Sequence, residues 1–546
     1  MNQTQEISRD FLQQALDARI RALEESFVES VRLLTLERNT LSPVSFLPPE
    51  IFAVIFSFMC SSEKPCHNLA RLRLSHVCHQ WREIVLTQPP LWSYVDFTTL
   101  SSVGAAEMLA RAKSVPLCVE ATISSPRCND VRFDTFQKEL QACIPRIRHL
   151  SISAERADML STLRVLGSPA PTLEHISLSS TGENILVPDT LSDGSTTTPR
   201  LSFLKLDHCG ISWERPLWPL LKSLKHLEII RPSSWPKLTV WLDALAEMPE
   251  LKTLILNFAS PVMYAHPIVI KRTVTLPSLA DFIIVESLND CVLALAHLDL
   301  PALTHLSLEA VCFTFPKSGD VQQLVPYVAR YAYGTQHTQP LQSMRIHFNQ
   351  ECVDLLAWAV PNIGVEIHDP PTATLAPRLA LSFRCDGASS SQYYSHLDLV
   401  EWLMASLPLD GVVTLAAQDL CGRTTWRPES AKRFWLHISP MFPHLRRVKL
   451  LPAGGFIEML LEDSERPPLS SLTELMVVET SEYVLLSLPL CDALMKRVEQ
   501  GVPFEVLNLR TCHDRDGSHN YRALLRRLSE IVVYVLGLER YVSINT

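Results

Sequence analysis

Five cysteine and histidine side chains cluster within residues 60–79, and thiolates and imidazoles are ligands that zinc prefers in proteins. They are Cys60, Cys66, His67, Cys78 and His79. Zinc ligands usually form pairs about two to four residues apart, whereas Cys60 and Cys66 are farther apart and Cys78 falls on the apolar side of a predicted helix. We therefore predict buried cysteines and exposed histidines here, and no metal site.

Catalytic motifs are missing from the sequence. A polar, turn-like run, HDRDG at residues 513–517, has no second carboxylate pair and no glycine-rich loop beside it, and we interpret it as a solvated loop. There is no G-x-S-x-G, P-loop, dinucleotide-binding fingerprint or H-E-x-x-H. We predict no catalytic residue, no cofactor and no enzymatic activity. A hydrolase whose groups meet only in the fold is kept as an alternative.

The bulk composition argues against two classes of partner. The net charge of −9 does not suit a general nucleic-acid binder, which needs a basic surface to neutralise phosphates. No apolar run reaches the roughly 18 residues that span a bilayer, and residues 1–10 lack the apolar core of a signal peptide. The 14 cysteines are scattered, as is typical of free thiols in a reduced compartment. We expect an intracellular protein, cytoplasmic or nuclear, with no nucleic-acid or membrane partner.

Residues 1–40 predict an amphipathic helix without proline or glycine. Its apolar residues recur at steps of three or four, which places them on one helical face. They are Leu16, Ile20, Leu23, Phe27, Val31 and Leu34. A helix with such a stripe buries it. We expect it to pack on its own chain, with a short coiled coil with a partner helix as the alternative.

Residues 41–97 predict a compact helical block. Pro49 suits the first turn of a helix, whose apolar residues Ile51, Ile55, Phe56 and Met59 we assign to one face. A second helix is predicted over residues 69–86. Pro89 and Pro90 then end it, and the following Leu-Trp pair is expected to tuck back under the helices.

From about residue 115 onward, short strings of the form L-x-x-L-x-L recur. The clearest eight are IRHLSI (147–152), LEHISL (173–178), LSFLKL (201–206), LKHLEI (224–229), LKTLIL (251–256), LADFII (279–284), LTHLSL (303–308) and LQSMRI (341–346). All but the last lie within the roughly 20–29-residue spacing of leucine-rich repeats. Similar strings at residues 379–383, 412–415, 445–450, 472–477 and 504–509 are more widely spaced. The pattern predicts an irregular repeat array.

Each string predicts a short strand whose leucines turn inward. Strands of this kind stack into a parallel sheet, and the mostly helical segments between them cover its outer side. The intervening positions then line a concave face. They include His149, His175, His226, Lys252 and His305. A mixed polar surface of this size favours protein recognition over a small-molecule pocket.

Residues 46–97 resemble an F-box. LPPEIFAVIF (47–56) and LARLRLSHVCHQWREI (69–84) match the family pattern L-P-x-E-I/L-x-x-x-I-F followed by L-x-x-V-C-x-x-W-R, and a trailing Leu-Trp stands at 91–92. This resemblance implies docking on a Skp-type adaptor, which joins the chain to a cullin. It implies first-helix contacts by Leu47, Pro48, Ile51 and Ile55. It also implies that the adaptor groove shares Val77, Cys78 and Trp81 with the core of the module.

The layout as a whole resembles the large fungal (basidiomycete-type) family of F-box-like proteins with irregular leucine-rich repeats. This chain departs from the family in an inserted segment, residues 61–68. The predicted fold is α/β: a helix at 1–40, an all-α F-box module at 41–97, and a leucine-rich-repeat solenoid at 98–546.

The function expected from this resemblance is substrate recognition in a Skp–cullin–F-box ubiquitin ligase. In that role the repeats would hold an unknown protein substrate. The alternative is a leucine-rich-repeat scaffold that binds a protein partner and is not coupled to ubiquitin ligation.

Overall fold

A computed structural model describes most of the chain. The described residues are 2–60, 67–123, 130–165, 170–187, 201–211, 213, 221–232, 237–258, 272–312, 318–333, 339–348, 352–361, 376–385, 394–419, 428–451, 454–462, 467–477, 487–508, 528 and 531–536. The chain divides into two compact units. The first comprises Met1–Glu183 with Thr190–Arg200, and the second comprises Asn184–Asp189 with Leu201–Thr546.

The first unit begins with helices. They are α1 (Asn2–Thr40), α2 (Pro49–Cys60), α3 (His67–Ser75) and α4 (His79–Thr87), with 3-10 turns at Pro43–Phe46 and Pro89–Trp92. Pro49 occupies the first turn of α2, where its missing N–H costs no hydrogen bond, and Glu50 lies at the positive end of the helix dipole. The second 3-10 turn buries Leu91 and Trp92, as the sequence predicted.

The prediction of one helix over residues 69–86 is wrong. The chain leaves the helical conformation between α3 and α4, where Cys78 has φ −157° and ψ 172°. No proline or glycine marks this break in the sequence. Because of the break, α3 and α4 contact each other and both contact α2.

Four strands complete the first unit, alternating with helices. They are β1 (Tyr94–Asp96), β2 (Leu117–Ile123), β3 (Ile147–Glu155) and β4 (His175–Thr181), with α5 (Ser102–Arg111), α6 (Asp130–Cys143) and α7 (Arg156–Val165) between them. The strands pair in parallel in the order β1-β2-β3-β4. Helices α5, α6 and α7 contact one another in sequence order.

The second unit contains the remaining strands and helices. The strands are β5 (Ile185–Leu186), β6 (Phe203–Asp207), β7 (Cys209–Gly210), β8 (His226–Ile230), β9 (Thr253–Asn257), β10 (Val274–Thr275), β11 (Asp281–Ser287), β12 (Leu298–Asp299), β13 (His305–Cys312), β14 (Ser343–Phe348), β15 (Cys352–Trp358), β16 (Leu379–Cys385), β17 (Thr414–Asp419), β18 (Arg447–Leu451), β19 (Glu474–Val477), β20 (Val506–Asn508) and β21 (Tyr534–Leu536). The helices are α8 (Leu238–Ala246), α9 (Leu288–His297), α10 (Ser318–Tyr333), α11 (Tyr394–Met404), α12 (Pro428–Ile438), α13 (Gly454–Leu460) and α14 (Ser487–Glu499).

All eight predicted strings contribute a strand, and the central residues of five consecutive strings in the second unit align. In the second unit Leu204 pairs with Leu227, Leu227 with Leu254, Leu254 with Phe282, and Phe282 with Leu306. Since a slip of one residue would turn every leucine to the opposite face, burial of the leucines fixes this register. Strands β17 to β21 continue the parallel ladder in chain order.

One part of the sheet departs from the predicted order. Strand β13 pairs with β11 on one side, and on the other side with β16 rather than β14. Strand β15 runs antiparallel between β16 and β14, and β14 then pairs in parallel with β17. The expectation that consecutive strings lie side by side is therefore wrong here, because β14 and β15 form an antiparallel hairpin that reverses the local strand order.

Helices of the second unit pack against one another, and one of them is seen to pack on the sheet. Helices α9 to α14 contact one another in chain order, and α9 packs against β11 and β13. Leucines such as Leu254, Leu308 and Leu381 are fully buried. The predicted α/β fold, N-terminal helices followed by a long, mostly parallel sheet with helices, is confirmed.

The N-terminal helix does not bury its apolar stripe. The six stripe residues in α1 expose between 45 % and 71 % of their surface. The expectation that this stripe packs on its own chain is therefore wrong within the described residues, because no described element covers it. Among the helices that the structure describes, none is long and apolar enough to cross a bilayer.

Candidate protein-binding surface

Helix α2 is apolar on two faces. Its inward face carries Phe52 and Phe56, which are 1 % and 0 % exposed. Residues one turn apart lie one above the other, so this pair forms a single buried ridge. The prediction that Phe56 shares a face with Ile51, Ile55 and Met59 is wrong, because Phe56 is buried whereas the other three are exposed.

The inward face of α2 packs against an aromatic cluster. The Trp81 ring of α4 lies 5.7 Å from Phe52 and 5.0 Å from Phe56, measured between ring centroids. In the same module the buried Trp92 indole donates a hydrogen bond to the Val85 carbonyl at 2.8 Å. Such aromatic pairs contribute about 0.5–1.5 kcal/mol beyond their area. The contacts of Phe52 and Phe56 with Trp81 thus orient α2 against α4.

The outward face of α2 is an exposed apolar surface, here called the α2 surface. It consists of Ile51, Val54, Ile55, Phe58 and Met59, which expose between 40 % and 74 % of their surface. Single exposed apolar residues are common, but five on one short helix form the kind of patch that marks a protein interface. No charged side chain lies among these five residues.

Further apolar side chains of the module are exposed beside its helices. Val77, at the break between α3 and α4, is 57 % exposed, and Leu72 on α3 is 39 % exposed. On the N-terminal side of α2, Leu41 and Phe46 are 73 % and 75 % exposed. The module thus keeps much apolar surface in water after its own core is complete.

The seven predicted adaptor contacts fall into two groups. Pro48, Ile51, Ile55 and Val77 are exposed. The half-buried group is Leu47, Cys78 and Trp81. Trp81 belongs to the aromatic core as well as the surface, in line with the shared role that the resemblance implied. Their contact with a partner stays a prediction.

Sequence reasoning did not single out Val54 and Phe58, which the structure places on the α2 surface. The available signal was that α2 is apolar all around, and a short surface helix of that kind requires a second partner. Of the Cys/His cluster, Cys78 is half-buried and His79 exposed. The side chains of Cys60, Cys66 and His67 lie outside the described residues, as does the run at 513–517.

Comparison with known protein families supports the interpretation of the N-terminal helical module as an F-box. Residues 44–98 match the F-box-like family. No curated protein matches the chain. The segment that carries the α2 surface is therefore an F-box-like domain. F-box domains in general bind Skp-type adaptors.

In each unit, the sheet face opposite the buried leucines is a second surface, here called the open face of that unit. In the second unit its neighbouring strands pair opposite charges: Lys205 with Glu228 at 2.9 Å and Arg447 with Glu474 at 2.8 Å. In the first unit the rings of His149 and His175 stack with centroids 5.2 Å apart. The open face is therefore polar and of mixed charge.

Hydrogen bonds and burial shift the pKa values of some side chains on the open face. Hydrogen bonds from His226 and Lys205 hold the pKa of Glu228 below its usual value, although burial opposes this. Burial lowers the pKa of His149 and of His305. Glu228 is therefore held in its charged form beside Lys205, and such a polar pair suits recognition of a polar protein surface.

Proposed function

We propose that this chain is the substrate-recognition subunit of a Skp–cullin–F-box ubiquitin ligase and has no catalytic site of its own. The match of residues 44–98 to the F-box-like family carries the proposal. In this role the F-box-like domain binds a Skp-type adaptor, which links the chain to a cullin. The repeated strands bind a protein substrate.

The α2 surface supports the adaptor contact. Full burial of a Val, Ile, Phe or Met side chain contributes about 1.5–3 kcal/mol, and this surface offers five such side chains. Residues that dominate interfaces lie in desolvated centres, where truncation costs about 2 kcal/mol or more. Ile51 and Ile55 occupy consecutive turns of this face, and we assign them to the centre of the contact.

The sharpest test uses side chains that are not needed inside the module. The double variant Ile51→Glu/Ile55→Glu places two charges on the α2 surface and leaves the aromatic core of Phe52, Phe56 and Trp81 unchanged. In a pull-down from a fungal extract, the intact chain is expected to capture the Skp-type adaptor and a cullin. The variant is expected to lose both, because an unpaired charge is costly in an apolar interface.

A matched control separates loss of contact from a general effect of surface charge. Val103 on α5 is 78 % exposed and lies in the same unit, outside the α2 surface. Val103→Glu is expected to retain full binding. Capture of equal amounts of adaptor by the intact chain and by the Ile51/Ile55 variant would contradict the assignment. The variant Leu47→Ala/Pro48→Ala is less clean, because Leu47 is half-buried.

The open face supports the substrate contact. Its ion pairs are part exposed, so each contributes only about 0–1 kcal/mol to stability and can be changed without unfolding. Arg447→Glu, which places a second carboxylate beside Glu474, is expected to reduce substrate capture while adaptor capture is retained. Unchanged capture of every substrate by several such variants would place the substrate site elsewhere.

A repeat scaffold without ligase coupling is the second candidate. The inserted segment 61–68 motivates it, because it separates the two halves of the F-box pattern. The discriminating result is whether cullin copurifies with the adaptor. Adaptor without cullin, or neither, favours the scaffold.

Under both functions the apolar stripe of α1 is exposed and could contact a partner helix. Pairing of α1 in a short coiled coil stays a prediction.

A further inference from the structure

The hairpin that interrupts the parallel sheet brings three metal-ligand side chains together on the open face. His347 lies on β14, and Cys352 and Asp354 lie on β15. One ligand atom from each lies within 4.8 Å of the other two. All three are half-buried, while their neighbours Phe348 and Val353 are buried in the core.

The separations within this cluster suit one shared ion. The Nδ1 atom of His347 is 3.1 Å from Oδ2 of Asp354, and Sγ of Cys352 is 3.7 Å from the same oxygen. With Zn–N and Zn–O bonds of about 2.0–2.1 Å and Zn–S of about 2.3 Å, neighbouring ligands of a tetrahedral site lie roughly 3.3–3.6 Å apart. Small side-chain rotations would therefore place all three around one ion.

The antiparallel pairing creates this arrangement. His347 and Asp354 are direct partners in the β14–β15 ladder, so their side chains leave the same face. Cys352 and Asp354 are two residues apart on one strand, so they also share that face. The donor set is thus fixed by two rigid strands and not by a loop.

A fourth side chain orients the carboxylate. Ser382 Oγ on β16 donates a hydrogen bond to Oδ1 of Asp354 at 2.6 Å. That bond occupies one carboxylate oxygen and leaves Oδ2 directed at His347 and Cys352. Partners of this kind behind a ligand are a regular part of metal sites.

We propose that His347, Cys352 and Asp354 form a zinc-binding site. A thiolate and an imidazole favour zinc over magnesium and calcium, which prefer oxygen donors alone. Three protein ligands leave a fourth tetrahedral position for water at the open face. The bound ion would join β14 to β15 at the point where the strand order of the sheet reverses. This site is independent of the adaptor contact.

Zinc binding would displace the proton of the Cys352 thiol, because the thiolate is the form that binds the metal. Arg384 lies opposite Cys352 in the ladder, and its ion pair with Glu309 at 2.8 Å partly neutralises its positive charge.

Cobalt is the probe that tests the site most directly. The full chain, reduced and freed of metal with a chelator, is titrated with Co²⁺ and then with Zn²⁺. We expect a thiolate-to-cobalt charge-transfer band with tetrahedral visible bands, and displacement of both by one equivalent of Zn²⁺. Cys352→Ser is expected to abolish the charge-transfer band. Ser382→Ala is expected to weaken Zn²⁺ binding about tenfold or more.

Two further variants keep the test decisive. Cys118 on β2 is also free, half-buried and opposite a histidine, His149, in its ladder, so Cys118→Ser is a matched control that should retain the band. His347→Gln provides a second loss variant should Cys352→Ser fail to fold. Zn²⁺ is also expected to raise the unfolding temperature of the intact chain, with no such rise in His347→Gln. Equal cobalt spectra for intact, Cys352→Ser and His347→Gln chains, or no thiolate band in the intact chain, would overturn the proposal.

Discussion

Helix α2 and strand β9 differ in how much of their apolar surface the fold buries. In β9 the alternate residues Leu254 and Leu256 are fully buried, and Thr253, Ile255 and Asn257 on the other face are half-buried. In α2 the buried ridge of Phe52 and Phe56 is matched by an equally apolar exposed face. The strand is complete within its own fold, whereas the helix leaves apolar surface in water. Of these two elements, the helix in the F-box-like domain is therefore the one with apolar surface still available to a partner.

Apolar and charged surfaces contribute differently to binding: the first mainly to affinity and the second mainly to specificity. Apolar surface removed from water contributes roughly 25 cal/mol per Å² whatever the partner's sequence. Exposed ion pairs such as those of the open face add little energy, but charge complementarity discriminates strongly between partners. In the proposed role, a shared adaptor would bind the apolar α2 surface and a particular substrate would bind the polar open face.

The largest expected effect separates the two faces of α2. Phe56→Ala removes a fully buried ring from the aromatic cluster and should destabilise the first unit by about 3–5 kcal/mol. Ile55→Ala, one residue earlier and exposed, should change stability by less than about 0.5 kcal/mol. Urea unfolding followed by tryptophan fluorescence measures both. Similar losses for the two variants would mean that Ile55 is part of the core, and that the α2 surface is not free.

A smaller effect is expected where the second unit buries a charge. Arg497 on α14 is 1 % exposed, and its guanidinium donates to the carbonyls of Pro468 at 2.9 Å, Leu469 at 3.1 Å and Leu472 at 3.2 Å. Arg497→Leu leaves these buried acceptors without that donor. We expect a loss of about 2–3 kcal/mol in the free energy of unfolding.

Glu499, which is exposed on the same helix, provides the control for this substitution. Glu499→Gln is expected to be neutral within about 0.5 kcal/mol. An Arg497→Leu chain as stable as the control would show that apolar packing alone suffices there, as it does in β9.

The smallest effect concerns pH. Burial lowers the pKa of His305 below its usual 6.5, although Asp281 opposes this at 3.8 Å. The unfolded chain then binds the proton more readily, so the stability contributed by neutral His305 is present above about pH 6.5 and is lost as the pH falls through the lower folded pKa.

Urea midpoints measured between about pH 7 and pH 5 test this sign. His305→Asn should lose less stability on acidification than the intact chain. A steeper acid loss in His305→Asn would contradict the stated direction.

Sequence spacing was informative wherever one side-chain pattern repeats. The strings around Leu204, Leu227 and Leu254 predicted the strands and their inward leucines, and burial of every second residue then permits only one register. The F-box-like domain was visible from its proline, aromatic and tryptophan positions, and the family match agrees.

Spacing was uninformative where the choice depends on long-range pairing. In α2 every candidate is apolar, so no pattern distinguishes the buried Phe52 from the exposed Phe58. The string at 341–346 predicted a strand and not its neighbours, since a hairpin and a crossover place the same leucines inward. The cluster of His347, Cys352 and Asp354 exists only because of that hairpin, and it was missed for this reason.

Hydrogen–deuterium exchange of the full chain with and without purified Skp-type adaptor tests the central claim most directly. The adaptor is predicted to slow exchange in residues 49–59 and around 76–81, while β8 and β9 stay unchanged. Protection confined to the strands, with none in α2, would contradict the assignment of the adaptor contact to the F-box-like domain.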